Sequence, residues 1–95
     1  IKHYVALWEP IMKVSVADIG IKKMKTKWGT CNIKSKKIWL NLKLVKKSPQ
    51  CVEFVVVHEM VHLLERYHNQ QFKSYMSMFL PNWKQLHKLL HQQVD

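Results

Sequence analysis

Residues 54–72 read FVVVHEMVHLLERYHNQQF and place two histidines and a glutamate inside one of the most apolar runs of the chain. On an α-helix, His58 and His62 are four residues apart and lie about one turn from each other on the same face. Their ring nitrogens can therefore converge on one cation. Glu59 lies one step round the helix, where its carboxylate would accept a proton from water as a general base.

A motif this short also occurs by chance. With six histidines and four glutamates in 95 residues, roughly one or two shuffled sequences per hundred contain it. Hydrogen-bonded core histidines are therefore the alternative to a metal site. The apolar surroundings predict a buried helix, in which unpartnered imidazoles and a carboxylate would cost roughly several kcal/mol, whereas a divalent cation satisfies all three. Because His68 offers a further nitrogen, we favour an HExxH metal site of the kind found in zinc hydrolases.

The length of the chain limits its architecture. A chain of 95 residues forms one small domain, which we assign to residues 1–95. Because it begins with Ile1 rather than Met, we expect it to be the C-terminal part of a longer protein. No apolar run approaches the roughly 18–20 residues of a membrane span, and no signal peptide is recognisable. We therefore expect a cytoplasmic protein without a membrane partner, in which Cys31 and Cys51 are free thiols.

The chain is strongly basic, and its basic residues are unevenly distributed. The formal net charge is +10, and ten of the sixteen basic residues fall between Lys22 and Lys47. A lysine-rich face of this kind can follow the phosphates of nucleic acid, with Trp28 and Trp39 available to stack on bases. Only Arg66 is an arginine, however, so the forked side chain that reads base edges is nearly absent. The alternative, which we favour, is that the lysines form the solvated side of strands.

Period-two alternation predicts strands before the motif. The clearest signal is at residues 38–44, where apolar and polar side chains alternate. Residues 19–27 alternate less regularly and predict a second strand, while residues 28–32 have the composition of a turn. We therefore expect an antiparallel hairpin over residues 20–44 with its polar tip near Lys34.

The start of the motif helix is well marked. Ser48 suits an N-cap and Pro49 suits the first helical position. We expect this helix to end at residue 65 or 66, so that the chain can turn and bring His68 back towards the motif. Other helices are predicted over residues 1–8, ended by Pro10, over residues 70–80, ended by Pro81, and from residue 82 or 83 to residue 92.

Several short strings together carry a family resemblance. The strings, in chain order, are KWGTCN at residues 27–32, IWLNLKLV at residues 38–45, HEMVH at residues 58–62, then His68 and Phe72. Their order resembles the YgjP-like family of predicted zinc metallopeptidases, relatives of the SprT-like and WLM zincins. The resemblance spans about residues 24–90. Two departures are visible, Thr30 in place of serine and Tyr67 in place of asparagine, and neither removes a potential ligand.

The resemblance implies an α+β, zincin-like fold in which a small antiparallel sheet packs on the HExxH helix and further C-terminal helices follow. It also implies a zinc ion bound by His58, His62 and His68, with Glu59 as the catalytic acid/base of a metallopeptidase acting on peptide or protein substrates. Three imidazoles leave a coordination position for water, as catalytic zinc sites do. Metzincins share the histidine spacing but normally have glycine where Glu65 stands, so a true metzincin is not expected.

The substrate-binding surface depends on which strand is the edge of the sheet. If the strand over residues 38–44 is an edge beside the metal, an extended peptide can pair with it, and Trp39 and Asn41 would contact the substrate. In the alternative arrangement residues 20–27 form the exposed edge and residues 38–44 are central. Both arrangements agree with the alternation pattern.

Two further assignments stay open at this stage. Tyr67, Asn41 and His87 are candidates for stabilising the oxyanion of an amide hydrolysis, while Trp28 and Cys31 are expected to pack beside the site. A second class of function is a nucleic-acid-associated, SprT-like module that acts on DNA-bound proteins. Salt-dependent binding of DNA would favour this alternative over a simple peptidase.

Overall fold

The motif helix lies at the centre of the fold, and the first and last helices of the described residues pack against it. The structure is a computed structural model that describes residues 1–92, so the last three residues of the predicted 1–95 domain lie outside the described range. Its elements in chain order are α1 (Lys2–Met12), β1 (Asp18–Lys22), β2 (Gly29–Asn32), β3 (Lys37–Asn41), the 3₁₀ helix Leu42–Lys46, α2 (Pro49–Val61), α3 (Gln70–Phe79) and α4 (Trp83–Gln92).

Helix α2 begins as the sequence predicts and ends earlier. Ser48 caps it by accepting a hydrogen bond from the backbone N–H three residues on, and Pro49 is its first residue. Apolar side chains are buried on nearly every side of this helix. It ends at Val61 rather than at residue 65 or 66. The N–H groups of residues 62–64 bond to carbonyls three residues back, the 3₁₀ pattern that often tightens a helix end.

The three strands form one sheet in the order β1-β3-β2. Strands β2 and β3 are an antiparallel hairpin with Thr30 opposite Trp39, and the turn at residues 33–36 confirms the predicted polar tip near Lys34. Strand β1 runs parallel to β3 on its other side, with Gly20 beside Trp39. The α+β fold, with a small sheet packed on the HExxH helix, is confirmed.

The strand partners within this sheet differ from the sequence prediction. Residues 28–32, expected to be a turn, contain β2. Residues 19–27, expected to be the antiparallel partner, contribute only to β1, which pairs in parallel. A parallel pair needs a long connection between its strands, and here the hairpin partner β2 lies within that connection. Local alternation carries no information about which strand becomes the neighbour.

Strand β3 is shorter than predicted and central. It ends at Asn41 and the chain continues as a 3₁₀ helix, although alternation suggested a strand to residue 44. The Asn41 Nδ2 donates to the carbonyl oxygens of Met24 and Lys27 at 3.0 and 2.8 Å, and its Oδ1 accepts from the N–H of Lys43 at 3.0 Å. Because β3 is paired on both sides, the hypothesis that this strand is the free edge is wrong.

Helix α1 continues past the proline that was expected to end it. Pro10 lies inside the helix, which ends at Met12 with Lys13 in a left-handed conformation at φ 58°. The apolar face packs on α2, where the Trp8 indole N–H donates to the Glu53 carboxylate at 2.9 Å. Proline in the last turn removes one intrahelical hydrogen bond. Burial of Trp8 and Met12 keeps the turn helical despite that loss.

Helices α3 and α4 agree with the predicted ranges to within one residue at each end. Helix α3 buries Phe72 and Met76, and α4 buries Leu86 and Leu90. Both cysteines are free thiols, as the sequence predicted. Among residues 1–92, none of the helices has the length and hydropathy that crossing a membrane requires.

Candidate metal centre

The three predicted metal ligands converge at the C-terminal end of α2. His58, His62 and His68 each offer one ring nitrogen, and these atoms lie within 4.8 Å of one another. The Nε2 atoms of His62 and His68 are 3.1 Å apart. The ring centroid of His58 is 5.2 Å from those of both other histidines. The fold therefore brings together all three imidazoles, including the one beyond the helix.

The orientation of His62 depends on how α2 ends. His62 is the residue directly after the helix and keeps helical dihedral angles, φ −62° and ψ −19°, so it stays one turn from His58. Its Nδ1 lies 3.0 Å from the carbonyl oxygen of Arg66 and donates a hydrogen bond to it. This bond fixes the tautomer with the lone pair on Nε2, the atom that faces His68.

His68 reaches the other histidines from the loop between α2 and α3. A carboxylate and an amide hold this loop: Glu65 Oε1 accepts from Asn69 Nδ2 at 3.0 Å and from the Tyr67 N–H at 3.5 Å. Asn69 also caps α3, because its Oδ1 accepts from the Phe72 N–H at 3.0 Å. The loop that carries His68 is thus held by hydrogen bonds within itself and by the cap of α3.

The ring of Phe72 packs against all three histidines. The centroid of Phe72 is 5.0, 4.7 and 4.9 Å from those of His58, His62 and His68. Phe72 is buried, so it limits rotation of the three imidazoles. Sequence reasoning placed Phe72 on α3 but gave it no role in the site. Its position four residues after His68 was the available signal.

Glu59 is buried next to the histidines and is 4% exposed. Its Oε2 accepts a hydrogen bond from His58 Nδ1 at 3.0 Å, which leaves Nε2 as the lone-pair nitrogen of that ring. Gly29 of β2 packs against the same carboxylate. The residue predicted to be the base therefore lies in the site, held by one ligand and by the neighbouring strand.

Burial favours the neutral form of two of the imidazoles. Desolvation is the main cause that lowers the pKa of His62, and the Glu59 carboxylate opposes it. Desolvation, followed by the nearby His62 and His58, also lowers the pKa of His68. A neutral imidazole carries the lone pair that a cation binds. Near pH 7 both side chains are therefore in the form that a metal ligand requires.

The donor set fits a divalent transition metal. Imidazole nitrogens bind zinc at about 2.0–2.1 Å, so two such ligands of a tetrahedral ion are roughly 3.3 Å apart. The 3.1 Å between the Nε2 atoms of His62 and His68 is close to that separation. Calcium and magnesium prefer oxygen ligands and do not suit three imidazoles. His58, His62 and His68 are the residues that would hold the ion.

Comparison with known proteins agrees with this geometry. The profile of the YgjP-like metallopeptidase domain matches residues 1–93. The chain belongs to the YgjP-like family. Membership confirms the resemblance seen in the sequence and supports a metallopeptidase role. No curated protein sequence matches the chain.

Two crystal structures share the fold of this YgjP-like domain. One is the metallopeptidase zymogen abylysin of Pyrococcus abyssi, with a TM-score of 0.86, 16% identity, and coverage of 96% of this chain and 91% of that chain. The other is the metallopeptidase zymogen jannalysin of Methanocaldococcus jannaschii, with a TM-score of 0.81, 20% identity, and coverage of 96% and 93%. At these identities the likeness establishes the fold.

The metal centre of the YgjP-like domain opens into a cleft of about 780 Å³. Residues 26–34, which contain β2, line one side of it. Phe54 of α2 and His87 and His91 of α4 line other parts of the cleft. In the sheet formed by the described residues, β2 pairs only with β3. Its second edge is therefore the sheet edge nearest the cleft.

The two residues predicted to contact substrate differ in their access to the cleft, which Trp39 lines and Asn41 does not. The Asn41 amide bonds to backbone carbonyl groups and does not line the cleft, and substrate contact by Asn41 stays a prediction. Trp39 points to the face of the sheet opposite α2, where it packs over Gly20. The ammonium groups of Lys22 and Lys37 lie 4.6 and 4.1 Å from its ring centroid. Trp39 is among the residues that line the cleft, and substrate contact by Trp39 stays a prediction.

Of the three candidates for the oxyanion role, only His87 lines the cleft. Tyr67 is 66% exposed and lies outside the cleft, and Asn41 is inside the sheet. The ring of His87 meets Phe54 edge-on at 6.0 Å and stacks on His91 at 4.3 Å. Desolvation, then the charges of neighbouring histidines, lowers the pKa of His87. Its imidazole is therefore biased towards the neutral form.

Trp28 and Cys31 line the cleft beside the histidines without joining the ligand group, as predicted. Desolvation, with a smaller effect of the Glu59 carboxylate, raises the pKa of Cys31 to about 11. Its thiol is therefore protonated near neutral pH, and a protonated thiol is a poor metal ligand. Among residues 1–92, the group suited to a metal ion consists of histidines alone.

Proposed function

We propose that this domain is a zinc-dependent peptidase in which Glu59 is the general base. The observation that carries the proposal is the convergence of three imidazole nitrogens beside a buried carboxylate in an open cleft. Structural zinc sites are closed by four protein ligands, whereas catalytic sites keep one position for water or substrate. A group of three histidines therefore supports catalysis rather than a purely structural role.

When bound, the metal lowers the pKa of water and polarises the substrate carbonyl. Glu59 Oε2 accepts a hydrogen bond from His58 Nδ1, whereas Oε1 accepts none from residues 1–92. Oε1 is therefore the atom that takes up a proton from the attacking water. The protonated carboxyl then delivers that proton to the amide nitrogen that leaves, so one side chain serves first as base and then as acid. Contact with Gly29 keeps the carboxylate in place between these steps.

The edge of β2 is the proposed binding surface for an extended substrate, in place of the central strand β3. A peptide can add to a free sheet edge through main-chain hydrogen bonds. Because Gly29 of this strand packs close to Glu59, a peptide paired with β2 passes close to the base. Recognition through the main chain favours unfolded segments over folded proteins.

His87 is the proposed donor to the oxyanion. It lines the cleft from α4, while Glu59 approaches from α2. A neutral imidazole N–H can donate a hydrogen bond to the negative charge that develops on the carbonyl oxygen. Of Tyr67, Asn41 and His87, only His87 lines the cleft, which supports this proposal.

The alternative of a nucleic-acid-associated module has no comparable support. Lys22 and Lys37 lie over the ring of Trp39, and Lys47 lies 5.3 Å from the ring centroid of Trp28. A base that stacks on the ring face next to one of these ammonium groups would have to displace the lysine. Peptide hydrolysis therefore accounts for more of the site than DNA association does.

Metal content and cleavage test the proposal together. Protein purified without a nickel column is expected to contain about one zinc ion per chain by mass spectrometry and to cleave an unfolded protein such as reduced casein. Glu59→Gln should keep the metal and the fold while losing about 10²–10⁴-fold in rate, because it removes the base and not a ligand. A fully active Glu59→Gln protein would show that Glu59 is not the base. Zinc-loaded parent protein that cleaves no peptide would refute the peptidase function.

A further inference from the structure

The exposed charges that line the cleft are all positive. Lys27, Lys34 and Arg66 line it and have exposed side chains. The lining residues include one carboxylate, Glu59, which is 4% exposed. A cleft lined by one sign of charge focuses the electric field and raises the local concentration of ligands of the opposite sign.

The other carboxylates of residues 1–92 are engaged elsewhere and do not line the cleft. Each has a partner from its own neighbourhood: Glu9 accepts from the Val16 N–H, Asp18 pairs with Lys37, Glu53 accepts from the Trp8 indole, and Glu65 accepts from Asn69. The partners of these four carboxylates do not line the cleft either.

The positive groups are spaced along the proposed substrate strand. Lys27 precedes β2 and Lys34 follows it, with the four-residue strand between them. At about 3.4 Å per residue, such a strand spans roughly 13 Å, the length of about four residues of a peptide paired with it. Arg66 belongs to the loop whose carbonyl group orients His62. Basic side chains therefore flank the segment of peptide that passes the histidines.

We propose that this cleft selects extended peptide segments that carry Asp or Glu side chains on both sides of the bond presented to the histidines. The inference rests on the proposed peptidase function and adds its substrate class. A single exposed ion pair changes an equilibrium by a factor of about 1.5–5. Two such pairs are expected to favour an acidic peptide over a neutral one of the same shape by about tenfold at low salt.

A peptide fits this cleft better than a nucleic acid does. Between Lys27 and Lys34 the cleft offers the main-chain groups of a strand edge, which pair with another extended main chain. Base stacking would instead need an open aromatic face, and the ammonium group of Lys47 lies 5.3 Å from the ring centroid of the cleft residue Trp28. Duplex DNA is accordingly used as a competitor in the test.

The test uses the zinc-loaded protein and three fluorogenic peptides that differ at two positions flanking the cleaved bond. These positions carry Glu in the first peptide, Gln in the second and Lys in the third. At about 25 mM salt we expect kcat/KM to be about tenfold higher for the Glu peptide than for the Gln peptide, and lowest for the Lys peptide. Since exposed charges are screened at about 0.3 M salt, the ratio should then fall below about threefold.

Charge-removing variants locate the effect. In the double variant Lys27→Gln, Lys34→Gln, kcat/KM for the Glu peptide should be only about twofold higher than for the Gln peptide. The matched control Lys46→Gln, Lys73→Gln removes the same charge at exposed positions that do not line the cleft, and should keep the tenfold ratio. An equal loss of the ratio in both variants would overturn the assignment to the cleft, as would equal rates for Glu and Gln peptides with the parent.

Binding separates this inference from the proposed function. Zinc-loaded Glu59→Gln protein should bind the Glu peptide about tenfold more tightly than the Gln peptide by fluorescence anisotropy. If no peptide is cleaved but this preference holds, the peptidase function fails and the acidic ligand class stands. If peptides are cleaved without regard to charge, the function stands and the acidic class fails. Displacement of the Glu peptide by duplex DNA at lower concentration than by unlabelled Glu peptide would overturn the choice of a peptide ligand.

Discussion

Gly29 in β2 packs close to Glu59 in α2, and any side chain at position 29 would be crowded between strand and helix. A Cβ at position 29 would lie 3.0 Å from Cγ and 3.2 Å from Oε2 of Glu59, and 3.0 Å from Cγ1 of Val55. Favourable contacts between carbon atoms are about 3.5–4.0 Å long. The strand proposed to bind substrate is thus packed against the carboxylate proposed to move the proton.

Gly29→Ala should impair catalysis more than stability. The added methyl group must displace Glu59 or Val55 by a few tenths of an ångström, at a cost of about 1 kcal/mol in unfolding free energy. Because catalysis depends on the position of the base, we expect kcat to fall about 10–100-fold with zinc content unchanged. Gly20→Ala is the matched control, since its Cβ would lie 2.3 Å from the Trp39 ring on the other face of the sheet. It should cost more stability and less activity, and the reverse order would contradict the proposed contact.

The Glu65–Asn69 hydrogen bond should control metal affinity through His68. Glu65→Ala removes the acceptor of the Asn69 amide, which is 3.0 Å away, and frees the turn that carries the third ligand. We expect zinc to bind about 10–100-fold more weakly in a competition with a chelator, as for other groups that orient metal ligands. Glu65→Gln keeps an acceptor oxygen and should retain most of the affinity. Equal zinc affinity of parent and Glu65→Ala would show that the loop holds His68 without this bond.

The position of Gly29 also explains one error of sequence reasoning. A glycine followed closely by asparagine has the composition of a turn, yet residues 29–32 form β2. The glycine is needed for close approach to Glu59, a tertiary contact that no local pattern records. The predicted length of β3 was wrong for a similar reason. Asn41 continues the alternation of a strand, but its amide bonds to backbone carbonyl groups of residues 24 and 27, which are distant in sequence. Both errors changed the predicted substrate edge.

The motif helix was predictable because its signals are local. The HExxH spacing, the Ser48 cap and the apolar run lie within one element, and they located the histidines correctly. The contacts of Phe72 with the histidines and the position of His87 in the cleft depend on how α3 and α4 pack. Sequence periodicity does not predict this packing. Zinc as the physiological ion and a cytoplasmic location stay predictions, because the geometry of one domain does not determine them.

Removing the metal should destabilise the fold. At a free zinc concentration of about 100 times Kd, binding to the folded state adds about 2.7 kcal/mol. For a domain of this size the melting temperature should then fall by roughly 10–20 °C when a chelator is added. His62→Ala should melt near the chelated parent and respond little to zinc. Identical melting curves of the parent with and without chelator would contradict the assigned site.

Cys31 should react slowly with alkylating agents despite its position at the cleft. Its pKa is raised to about 11, so the thiol stays protonated up to that pH and the reactive thiolate is scarce below it. At pH 8 we expect iodoacetamide to modify it roughly a hundredfold more slowly than free cysteine, with about a tenfold increase per pH unit until pH 11. Mass spectrometry of the folded protein gives the rate, and the urea-unfolded chain is the control. Rapid modification of the folded protein at pH 8 would contradict the raised pKa.

His87 should affect turnover without affecting the metal. It lines the cleft and is not one of the converging histidines, so His87→Ala is expected to bind zinc like the parent. Loss of one oxyanion donor typically costs about 10²–10³-fold in kcat, and we expect the effect here at the lower end of that range, with KM changed less than threefold. His87→Gln keeps an N–H donor and should recover part of the rate. His91→Ala removes the ring stacked on His87 at 4.3 Å but leaves the His87 imidazole, and should cost less than His87→Ala. A His87→Ala protein with parental kcat would exclude His87 as the oxyanion donor and leave a main-chain N–H of β2 as the group to test next.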